Sequence, residues 1–62
     1  MFWKHHPIGF LGVTEDRRPV QIGSVWERRP EAWFAEHRGS VTGPYPSQFE
    51  AQQHVENAEA KR

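Results

Sequence analysis

His5, His6, His37 and His54 are the candidate metal ligands of this chain, and Ser24, Ser40 and Ser47 its candidate nucleophiles. A zinc centre draws on three or four oriented ligands. In an extended segment His5 and His6 point to opposite faces, which serves one ion poorly. No metal site is expected. None of the serines stands in a motif with a histidine, cysteine is absent, and no G-x-G-x-x-G or Walker-type loop occurs. Carboxylates such as Glu56 and Glu59 read as a solvated helix face rather than an acid–base pair. The chain is therefore expected to be no enzyme and to carry no cofactor.

Two basic steps remain: Asp16-Arg17-Arg18-Pro19 and Glu27-Arg28-Arg29-Pro30, eleven residues apart. Together they would form a clamp for a polyanion; apart, they are two turns at the ends of one strand. Between them, Val20, Ile22 and Trp26 alternate at period two, the spacing of a strand. An extended segment of this length separates the pairs by about 30 Å or more. Glu15, Asp16, Glu27 and Glu31 also dilute the local potential, and salt screens charge beyond about 8–10 Å. The expectation is two solvated turns, each able to hold a single carboxylate or phosphate of a partner.

The elements that carry these residues follow from short local signals. Ile8 to Thr14 is apolar enough for a strand, with Gly9 and Gly12 marking a bulge or a close backbone approach. Glu15 to Pro19 is a turn. Val20 to Glu27 is the second strand; Val25 falls off its main face, so Gly23-Ser24 is the expected place of a bulge. Glu31 to His37 is read as a strand, with a helical turn led by Pro30 as the rival. Arg38-Gly39 then closes a hairpin onto Ser40-Val41-Thr42.

Ser47-Gln48-Phe49-Glu50 has the spacing of a capping box and predicts a helix over 47–60. Ala51, Val55 and Ala58 form its narrow apolar stripe, so the helix is expected to lie close against a flat sheet. Phe49 falls off that stripe, either covering the sheet edge or standing as an exposed anchor. Lys61 and Arg62 suit the negative end of the helix dipole. The fold class is α+β: an antiparallel three- to four-stranded β-meander with one C-terminal helix packed on the sheet. A single domain spans 1–62, with an N-terminal arm at 1–7 and the meander at 8–43.

Trp33, Gly39, Tyr45, Ser47, Glu50 and Ala51 are spaced so that the second half of the chain resembles the small β-β-β-α, AP2-like arm-binding domains of phage-type tyrosine integrases. That resemblance implies a three-stranded sheet laid on DNA and braced by the helix, and an origin in a phage or mobile element. Such domains are expected to carry basic or polar residues on the open sheet. Here the middle strands offer Gln21, Ser24, Glu31 and Glu36.

Eight acidic and eight basic side chains cancel, which disfavours a nucleic-acid partner. No apolar run nears the roughly 20 residues that span a bilayer, and Met1-Phe2-Trp3-Lys4 begins no signal peptide, so a cytoplasmic, membrane-free protein is expected. Eight aromatic rings face an alanine-rich helix, so either all of them serve the core or some stay exposed as interface anchors. Trp3, Trp26, Arg28, Arg29, Trp33, Phe34 and Phe49 are the candidate partner-binding residues, because exposed aromatics with nearby Arg are common interface anchors. The expected function is binding of another protein. Nucleic-acid binding through an aromatic sheet face is the alternative, and a subunit of a homo-oligomer such as a homodimer the second.

Overall fold

The computed structural model describes residues 1–61. Five strands run β1 (Phe2–His6), β2 (Gly9–Val13), β3 (Gln21–Arg29), β4 (Ala32–His37) and β5 (Ser40–Tyr45), followed by α1 (Gln48–Ala60). They form one antiparallel sheet in sequential order, a meander, and α1 packs across β3, β4 and β5. This is the expected α+β class with one strand more than the upper estimate. The extra strand comes from residues 1–7, expected as an arm. Phe2 to His6 instead pairs residue by residue with Gly9 to Val13.

The core is small. Val25, Ala35, Ala51 and Val55 are 1%, 0%, 0% and 0% exposed, with Met1, Trp3, Phe10, Trp33 and Tyr45 packed around them. Gly23 explains how the helix comes so close. A Cβ there would stand 2.6 Å from the Glu36 carbonyl oxygen and 2.9 Å from a Val55 methyl, so only glycine fits under the helix. Ala51 and Val55 bury as the stripe predicts, and Ser47 Oγ accepts a hydrogen bond from the Glu50 amide at 3.3 Å, capping the helix. Lys61 is the C-cap; Arg62 lies outside the described residues.

Three register details differ from the reading of β3. The bulge opposes Gly12-Val13, at one of the two glycines expected to mark one, and leaves Ile22 unpaired, one residue before the Gly23-Ser24 expected on β3. Val20 lies before the strand and is exposed, while Val25 holds the centre of the core. Arg28 and Arg29, expected in a turn, complete β3 itself; the turn is Pro30-Glu31. The strand reading of 31–37 holds over its rival. Arg38 and Gly39 take φ of 48° and 93°, the doubly positive pattern of a tight hairpin turn, where glycine at the second position carries no Cβ penalty.

Candidate functional site

Pairing and alternation divide the side chains of the sheet between two faces. Val25, Ala35 and Trp33 belong to the face under α1, together with Phe10, the cross-strand partner of Val25. Ser24, Trp26, Phe34 and Glu36 fall on the opposite face. Among the described residues no element covers that second face.

Its centre is aromatic. Trp26 and Phe34 are cross-strand partners whose ring centroids lie 6.2 Å apart at an interplanar angle of 20°, a stacked pair. Arg28 and Arg29 reach the same place through a fault in register. Glu27 pairs with Trp33 and Arg29 with Ala32, so Arg28 is the extra residue of a bulge. A bulge re-aims the side chains next to it. Both arginines and Phe34 border a concavity of ≈ 410 Å³. Trp26 also borders a smaller recess of ≈ 130 Å³, whose lining is completed by His6, Ile8, Leu11 and Ser24 and, from strand positions turned toward the helix, Phe10 and Val25. The stack thus borders a cationic hollow and an apolar one.

The electrostatics sharpen the contrast. Arg38 is held by Glu59, with Nε donating to Oε1 at 3.1 Å and Nη2 to Oε2 at 3.0 Å, which raises its pKa above the ordinary range. His37 Nε2 meets the same carboxylate at 2.9 Å. Among the described residues Arg28 and Arg29 have no carboxylate within 4.0 Å. Glu36, on the same face, is engaged by the Ser24 hydroxyl and the Gly39 amide.

Of the expected partner-binding residues, the fold gathers Trp26, Phe34, Arg28 and Arg29. It sends Trp3 and Trp33 to the helix side. Trp3 Nε1 donates to Glu56 Oε2 at 2.8 Å and its ring packs on the core, as does Trp33. Phe49 covers no edge; it is 70% exposed on the first turn of α1. His6 was not anticipated, because the residues before Ile8 read as an arm rather than a strand; Ile8 and Leu11 were read as strand residues without a binding role. The histidines disperse: His5 meets Phe10 edge-on at 5.4 Å, His54 lies 5.5 Å from Tyr45, and His6 Nδ1 accepts from the Ile8 amide at 3.4 Å. Among the described residues no three His, Cys, Asp or Glu side chains form a metal-binding group, and no helix is long and apolar enough to cross a membrane. Comparison with family models, curated proteins and solved structures returns no match.

Proposed function

We propose that this protein is a non-catalytic binding module that holds another protein through the open face of its sheet. One observation carries the reading: a stacked Trp26–Phe34 pair, bordered by two arginines without carboxylate partners, lies on the face that α1 leaves uncovered. Tryptophan and arginine are the residues that most often dominate interface energetics, because each combines a large contact area with directional polar groups.

A second reading shares the same residues. Single-strand nucleic-acid binders also combine exposed rings with cationic side chains, and the resemblance to arm-binding domains points the same way. Arg17-Arg18 lies beyond the other end of extended β3, so no continuous basic track joins the two pairs.

Co-purification from the native host, with wild-type chain and a Trp26→Ala/Phe34→Ala variant side by side, tests the proposal. A protein retained by the wild type and lost at least tenfold from the variant supports it. Equal retention would overturn it, and tight, steeply salt-dependent binding of oligonucleotides would favour the second reading.

A further inference from the structure

The two hollows that border the aromatic stack define the partner more closely. We propose that the open face takes a short extended segment of the partner that carries an aliphatic side chain and, two to four residues away, a carboxylate pair. The proposal rests on the reading of this face as a protein-binding surface.

The cationic hollow sets the charge of the occupant. Arg28 and Arg29 border it, and the carboxylates nearest in sequence, Glu27 and Glu31, form no ion pair with either of them. Two adjacent guanidiniums beside an aromatic ring favour a planar oxyanion, which they bind through paired N–H donors. Carboxylate is the form of that group that a peptide supplies.

The apolar recess sets the second requirement. At ≈ 130 Å³ it is close to the cavity of about 150 Å³ known to hold one benzene ring, so it has room for one branched or ring side chain. Its lining is mostly apolar, from Ile8, Phe10, Leu11, Val25 and Trp26; of its two polar side chains, His6 accepts from the Ile8 amide through Nδ1 and the Ser24 hydroxyl donates to Glu36. A nucleobase placed there would leave its own donors and acceptors unpaired, which costs free energy. An aliphatic side chain loses nothing. Trp26 and Arg28 are two residues apart on β3, so an extended ligand that meets both hollows carries its two groups a few residues apart.

The experiment uses the intact 62-residue chain and amide-resolved NMR titration with four probes: the capped peptides Leu-Ser-Asp-Asp, Leu-Ser-Asn-Asn and Ala-Ser-Asp-Asp, and oligothymidine. Leu-Ser-Asp-Asp is expected to shift the signals of Trp26, Arg28, Arg29 and Leu11. The Asn and Ala peptides are each expected to bind at least fivefold more weakly. Arg28→Ala/Arg29→Ala should bind the acidic peptide no better than wild type binds the Asn peptide, while Arg17→Ala/Arg18→Ala should match wild type. Equal affinity for the Asp and Asn peptides would overturn the proposal, as would oligothymidine binding the same residues more tightly than any peptide. Because both double variants change only exposed side chains, unchanged spectra elsewhere establish that each is folded. A partner captured through Trp26 and Phe34 that ignores acidic peptides would defeat this proposal alone; a partner captured regardless of those rings would defeat the reading beneath it.

Discussion

Gly23 and Val55 show how little tolerance the core has at the level of single atoms. Val55 is 0% exposed and its methyl lies where a Cβ on residue 23 would go. Val55→Ala removes two buried carbons and should cost about 2 kcal/mol, from about 0.8 per methylene plus the cavity left behind. Gly23→Ala should cost about 1–3 kcal/mol by overpacking against backbone that cannot move aside. Urea unfolding reads both. Trp3 offers a contrast, because its ring is structural and its Nε1–H meets Glu56 at 2.8 Å. Trp3→Phe keeps most of the ring and loses the bond, an expected change of about 1 kcal/mol, with no effect on partner capture. These particulars mark the boundary of what was legible. Ser47, Ala51 and Val55 announced themselves by spacing alone, since capping and helical periodicity are local. The division of the tryptophans, one outward and two inward, was not legible. It depends on strand register, which shifts at three places; Gly12 marks the first of them, but no residue type marks those at Glu27-Arg29 and Trp33-Ala35.

At the scale of elements, the helix is held at both ends. Ser47 caps its start, and near its end Glu59 receives both Arg38 and His37 from the β4–β5 hairpin. Ser47→Ala should cost about 1 kcal/mol, the usual worth of such a cap. Glu59→Ala should raise amide hydrogen exchange in the turn at Arg38-Gly39 more than in the β1–β2 hairpin, which does not share that carboxylate. Exchange at equal rates in both would contradict the role given to Glu59. The five-strand meander itself was largely legible, because Gly, Pro and Arg-Gly punctuation separates β2 to β5. The first strand was not. Phe2-Trp3-Lys4-His5-His6 has no turn signal stronger than Pro7, and its pairing with β2 is a tertiary outcome rather than a local preference.

For the whole molecule, the net charge of zero hides a separation of charge. Glu50, Glu56 and Glu59 lie along α1, whereas Arg28 and Arg29 border the uncovered face of the sheet. Composition alone speaks against an anionic ligand; the acidic segment proposed above is confined to a small patch. The extended course of β3 between the two Arg-Arg steps keeps that patch compact, which is why the ligand proposed for it is a short segment rather than a long polyanion. The measurement that tests this most directly is a map of backbone amide shifts on adding the captured partner to the labelled chain. Changes centred on Trp26, Arg28, Arg29 and Phe34, with α1 unaffected, are the expected result. Changes centred on α1 or on Phe49, leaving those four residues still, would contradict it.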